Sequence, residues 1–203
     1  MNYETGRENL VKLINWYNEN SVKNRNEANT RFHIIDRLIF ECLGWDKNTF
    51  TSEESQGGKY ADYTFSNPNR CLIIEAKKEG VYFELPAGWD KIEYKINTLR
   101  KDNHAIGEAI NQAIEYCQSR GVQFGAVSNG TQLIAFLASR NDGISPLEGK
   151  AIVFDSLTSM ERNFLLMWQY LSQEGIREKR ILSKLIDNNI ILLPPKLSSQ
   201  LTS

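Results

Sequence analysis

"CLIIEAKKEG", residues 71–80, reads as a buried β-strand for four residues and then turns charged at Glu75, Lys77 and Lys78. Side chains two apart in a strand share a face, so Glu75 and Lys77 point the same way as Cys71 and Ile73. The apolar half of that face belongs in a core and the charged end emerges from it. Upstream, the period of two continues through "TFTSEE" and "YADYTF", separated by Gly57-Gly58, and a turn at "SNPN" leads into "RCLIIEAKK". Three strands in a meander follow. With the second turn centred near Pro68 and Asn69, antiparallel pairing sets Asp62 opposite Glu75 to within one residue, and opposite residues share a face.

Two carboxylates held that close repel unless a cation lies between them or one keeps a proton. Mg²⁺ suits such a pair: it takes oxygen ligands, retains several waters and is commonly held by one or two carboxylates together with substrate phosphates. Lys77 alongside is placed to orient, or help deprotonate, an attacking water. The plainer alternative is a cross-strand ion pair at a strand end, which stabilises little. For the tripeptide Glu75-Ala76-Lys77 alone the plainer reading prevails. Gln112 and Tyr116, four apart on the flank of a helical apolar stripe, are candidates to reach the same place.

The rest of the chain supplies a frame. Leu10, Leu13, Ile14 and Tyr17 have helical spacing within residues 4–19. Ala28, Phe32, Ile35, Ile39 and Cys42 continue at steps of three and four in a second helix, with Glu27 in its first turn and Gly44 at its end. Residues 105–119 form a third, stopped by Gly121. "FGAVSNG" and "TQLIAFLAS" read as a hairpin about Asn129-Gly130, and "KAIVFDSL" as a further strand. Thr158 and Glu161 form a capping box for a helix over 159–174 with Gly175 as its stop; another helix runs to about 187, and Pro194-Pro195 marks a tail. The prediction is a mixed α/β domain, a central sheet covered by helices.

Composition narrows the classes of function. The chain has 203 residues, 41% hydrophobic and 24% charged, enough for one domain with a small appendage. The lack of a long apolar run or a basic-apolar leader predicts a cytosolic protein that does not span a membrane. Cys42, Cys71 and Cys117 form no CxxC pair and predict core residues, neither disulfides nor a zinc site. A net charge of −1 is no footprint of an autonomous nucleic-acid binder. His33 and His104 fall on different elements and make no His-Asn-His site; GxSxG and GxxxxGK[ST] are both missing.

"YADYTF", "LIIEAKK" and "QAIEY" follow the order of the PD-(D/E)xK nucleases that carry a QxxxY motif. "EANTRFHIIDRLIFECLGWD" and "AVSNG" resemble the N-terminal nuclease domain of type I restriction endonuclease motor subunits. The resemblance covers about residues 25–140. It implies a restriction-endonuclease-like core within 1–157, an insertion at about 80–104, and a C-terminal helical extension and tail at 158–203. By that likeness Asp62 stands for the aspartate of the "PD" half-motif and Glu75 with Lys77 for the ExK pair. Gln112 and Tyr116 match QxxxY, and Glu27 the acid on the preceding helix. The implied metal set is Asp62, Glu75 and Ala76, with Mg²⁺, or Mn²⁺ as a substitute. The implied activity is hydrolysis of DNA in restriction or phage defence, alongside a motor or other defence subunit.

Ala61 stands where that family has proline, and the insertion departs from its pattern; Trp89 and Tyr94 there are available for stacking on DNA, although a structural or partner-docking role is favoured. Glu27 has an even alternative, complementing its helix dipole and pairing with Arg31. A catalytically silent fold of the same type, kept for DNA binding or partner docking, is the rival from another class.

Overall fold

The computed structural model describes residues 1–20, 25–56, 59–79 and 92–186. Seven strands form one sheet: β1 (Phe50–Gln56), β2 (Lys59–Ser66), β3 (Arg70–Ala76), β4 (Glu93–Lys95), β5 (Phe124–Ser128), β6 (Leu133–Leu137) and β7 (Lys150–Phe154), in the order β1-β2-β3-β5-β6-β7-β4. Only β3 and β5 run parallel. A parallel pair needs a crossover, and the segment between them carries helices α3 (Ile96–Asp102) and α4 (His104–Arg120).

Alternation along β3 divides the core in two. Ile73 faces α4, where Ile106, Ala109, Ile110, Ala113 and Cys117 meet Val127, Ile134 and Phe136 of the sheet. Leu72 and Ile74 face the other way, with Tyr63, Phe65 and Phe154, onto α1 (Tyr3–Glu19) and α2 (residues 27–42). The same layer takes α5 (Leu157–Arg162), α6 (Phe164–Leu171), α7 (Gln173–Arg177) and α8 (Arg180–Leu185). A strand buried on both faces reads as a continuous apolar run, which is why "CLII" carries no polar residue. The helices foreseen as a C-terminal extension thus contribute Met160, Phe164, Met167, Trp168 and Leu185 to the core shared with α1.

Helix α2 departs from its expected periodicity. It is α-helical over Glu27–Thr30 and then closes i→i+5 turns over Arg31–Ile35 and Arg37–Cys42. The wider turn buries Ile34, Ile35, Leu38, Ile39 and Cys42 and leaves Phe32 67% exposed, and Ala28 in the α-helical start is exposed too, so those two do not belong to the apolar stripe. Gly44, at φ +73°, follows its end as expected.

Further differences are local. Ser156, whose Oγ accepts from the Ser159 amide at 3.1 Å, caps α5 in place of the Thr158 box, and the helix expected over 159–174 is broken into α5 and α6. Gly175 stops nothing: it lies within α7, where a Cβ would run into the Gln169 carbonyl. Residues 80–91 of the insertion, including Trp89, fall outside the described residues, as do Gly57-Gly58 and the tail from 187. The remainder of the insertion forms β4 at the sheet edge, antiparallel to β7, and α3. Tyr94 is 4% exposed there, so it packs in the core and offers no stacking face. Among the described residues no helix is long and apolar enough to cross a membrane. The three cysteines are free, with Cys42 and Cys117 buried.

Candidate functional site

The β2–β3 register pairs Phe65 with Leu72, Thr64 with Ile73 and Tyr63 with Ile74, and Asp62 and Glu75 are the next residues beyond that last pair. The two carboxylates therefore lie at the ends of adjacent strands, Glu75 on the α4 side with Ile73, and Asp62 near enough for its charge to act on Glu75. Main-chain bonding fixes them there. Asp62 Oδ2 accepts from the Ala76 amide at 2.7 Å, and the Lys77 amide donates to the Ser128 carbonyl of β5 at 2.8 Å, extending the parallel ladder one residue past β3.

From that anchored segment Lys77 Nζ donates to Glu75 Oε1 at 2.7 Å and to Gln112 Oε1 at 3.1 Å. Gln112 Nε2 in turn donates to the Tyr116 hydroxyl at 2.9 Å. Residues 112 and 116 are one turn apart on α4, held to the sheet by the apolar stripe on either side, so the helix aims both polar groups at the strand end. Asp62, Glu75, Lys77, Gln112 and Tyr116 are thereby brought together. Ala76, between Glu75 and Lys77, is buried, and its amide is the group bonded to Asp62. Glu27 stays exposed in the first turn of α2, after the Asn26 cap, close enough for its charge to act on Glu75.

Glu75 carries the electrostatic tension. It is 3% exposed, and burial pushes its carboxyl up to about 7; the hydrogen bond from Lys77 opposes this, while the charges of Asp62 and Glu27 add to it. Glu75 Oε2 is buried with no hydrogen-bond partner among the described residues. A carboxylate oxygen left so is costly unless a cation or a proton satisfies it. Two neighbouring carboxylates, one of them with an orphaned oxygen, are the kind of donors a hard divalent cation takes while completing its shell with water or phosphate oxygens. Among the described residues no three His, Cys, Asp or Glu side chains form a group that could hold a metal ion.

Two features escaped the sequence reading. Arg31 reaches Asp62: its guanidinium lies 3.3 Å from Oδ1 and 3.2 Å from the Asp62 carbonyl, and 4.8 Å over the Tyr63 ring. Its place four residues after Glu27 suggested a partner on its own helix; the i→i+5 turns of α2 and the pairing of distant elements gave no local signal. Beyond Lys77, Glu79 is buried and bonded to Arg25 at 2.8 Å and to the Tyr17 hydroxyl at 2.6 Å, while its amide donates to Thr30 Oγ1 at 3.1 Å. That cluster ties α1, the start of α2 and the chain leaving β3.

No family model, no curated protein and no solved structure matches this chain. What defines it is a seven-stranded mixed sheet between helical layers, with acids, a lysine and a glutamine gathered at the ends of β2 and β3.

Proposed function

We propose that this chain is a Mg²⁺-dependent nuclease on a restriction-endonuclease-like core, hydrolysing DNA phosphodiester bonds as one component of a restriction or phage-defence assembly. The observation that carries the reading is the buried, unpartnered Glu75 Oε2 beside Asp62, with Lys77 held on the other Glu75 oxygen. Asp62, Glu75 and the Ala76 carbonyl would hold the ion. When bound, it supplies Lewis acidity toward the phosphodiester and toward water. Lys77 Nζ, fixed as a donor between Glu75 and Gln112, is positioned to orient the attacking water and to stabilise the negative charge that develops on it. Tyr116 keeps Gln112, and through it Lys77, in place. The net charge of −1 supports delivery of DNA by a partner, such as a motor subunit, over unaided capture.

Incubation of supercoiled and linear DNA with the protein, alone and with its native partners, in Mg²⁺ or Mn²⁺ tests this. Cleavage should require the ion, and Lys77→Ala should lower the rate by about 100-fold or more while circular dichroism stays unchanged. Metal-independent cleavage, or equal inertness of wild type and Lys77→Ala in the full assembly, rejects it.

A second reading, a silent fold that docks DNA or a partner, is favoured by one observation. Both Asp62 oxygens are already engaged, by Arg31 and by the Ala76 amide.

A further inference from the structure

The two partners of Asp62 differ in how readily they leave. The Ala76 amide is main chain in the sheet, and a carboxylate oxygen can accept from it while also binding a cation. Arg31 is a long side chain whose contact with Oδ1 is 3.3 Å, and both members of the pair keep 17% of their side-chain surface in solvent. A pair of that length, with both partners still reached by solvent, is a loose one. Nor does losing it strand the guanidinium, because the Tyr63 ring 4.8 Å beneath it remains as a cation–π platform on which it can turn.

Charge sets what happens next. In the metal-free protein Arg31 and Lys77 balance Asp62 and Glu75. With a divalent cation on the carboxylates the same four side chains are left with surplus positive charge, which an anionic phosphodiester is suited to match. Guanidinium has the planar, two-pronged geometry that phosphate oxygens accept. We infer that Arg31 is an exchanging counter-cation: it neutralises Asp62 while the site is empty of metal and, once a divalent ion binds Asp62, turns to hold a non-bridging oxygen of the scissile phosphodiester. The inference rests on the nuclease reading above and assigns that site a phosphate-binding residue.

The test pairs two measurements on the full-length protein: Mn²⁺ affinity without DNA, by calorimetry or by Mn²⁺ electron paramagnetic resonance, and cleavage at saturating Mn²⁺. Removal of the competing charge in Arg31→Ala should tighten Mn²⁺ binding by about fivefold. The same variant should cleave about 100-fold more slowly even when metal is saturating, with Arg31→Lys retaining part of the rate. A brace between α2 and β2 would give the opposite sign, looser metal binding in a destabilised protein. Folded Arg31→Ala with equal or weaker Mn²⁺ affinity therefore overturns the inference. Should Arg31→Ala fail to fold, Arg31→Gln, which keeps hydrogen-bonding capacity and loses the charge, gives the same readout. Wild type that binds no Mn²⁺ sinks the nuclease reading along with this one. Wild type that binds Mn²⁺ and cleaves through Lys77, with Arg31 variants unchanged in affinity, sinks this one alone.

Discussion

Glu75→Gln replaces a buried carboxyl with an amide of nearly the same shape, and its effect on stability should depend on pH. Burial, followed by the charges of Asp62 and Glu27, lifts the Glu75 carboxyl from 4.5 to about 7 against the pull of Lys77. The folded state therefore holds this proton more tightly than the unfolded chain, so metal-free stability falls as pH rises between those two values and levels off above them. Each tenfold gain in proton affinity corresponds to about 1.4 kcal/mol, so the loss amounts to about 3 kcal/mol. Glutamine cannot ionise, so the variant lacks this component. Near pH 5 both side chains are neutral, each presents one oxygen to Lys77, and the proteins should agree within about 1 kcal/mol.

At pH 8 the variant should be more stable than wild type by about 2–3 kcal/mol. Urea denaturation in a chelator, at intervals from pH 5 to 8, measures this, and the difference between the two proteins cancels their other titrating groups. Added Mg²⁺ then separates function from stability. At about 100 times its dissociation constant it should return roughly 2.7 kcal/mol to wild type, and much less to the variant, which has lost a ligand. A wild-type curve parallel to that of the variant, or a variant less stable at pH 8, would refute the claim that Glu75 is strained by burial in the absence of metal.

Other substitutions probe the supports. Gln112→Ala removes the 3.1 Å acceptor of Lys77 and the donor to Tyr116, and should slow cleavage about tenfold. Tyr116→Phe, one bond further from the lysine, should slow it less; single-turnover rates rank the two, and the reverse order would show that Tyr116 acts directly. Glu79→Gln leaves the buried Arg25 guanidinium without a charged partner and should cost about 3 kcal/mol in urea denaturation at pH 7. Gly6→Ala drives a Cβ into the Cys42 carbonyl where α1 crosses α2, and should cost about 3 kcal/mol or more, read as a fall in the denaturation midpoint.

The part of the site built by neighbouring strands was legible in the sequence. Period-two alternation and the position of the "SNPN" turn suffice to bring Asp62 and Glu75 to neighbouring strand ends, because a hairpin register is fixed by its turn and by burial of one face. The helical stripe of α4 similarly predicts that Gln112 and Tyr116 sit together on its flank. What the sequence hid depends on contacts between distant segments or on unusual backbone. A three-residue strand such as Glu93–Lys95 has too few positions to show a period, and it pairs with β7, more than fifty residues on. Phe32 looks like a core residue at α-helical spacing and is not one, because the i→i+5 turns of α2 rotate it outward. The same turns present Arg31 to Asp62, a pairing no local pattern announces.

The buried Arg25–Glu79 pair helps explain how so strained a site keeps its shape. Taking two charges out of water is expensive, and a hydrophobic pair of similar volume often stabilises as well or better, so the pair is weakly explained by stability alone. Its location supplies another reason. Glu79 lies two residues after Lys77, and its amide and carboxylate reach Thr30, Tyr17 and Arg25. Thr30 is the neighbour of Arg31, and Arg25 lies two residues before Glu27. One cluster thus fixes the chain carrying the lysine to the helix start carrying the arginine and the outlying acid, while the Lys77 amide is held independently by Ser128. Opposing charges near Glu75 would otherwise relax by moving apart or out to solvent. Pinning both segments leaves a cation or a proton as the remaining way to satisfy Glu75.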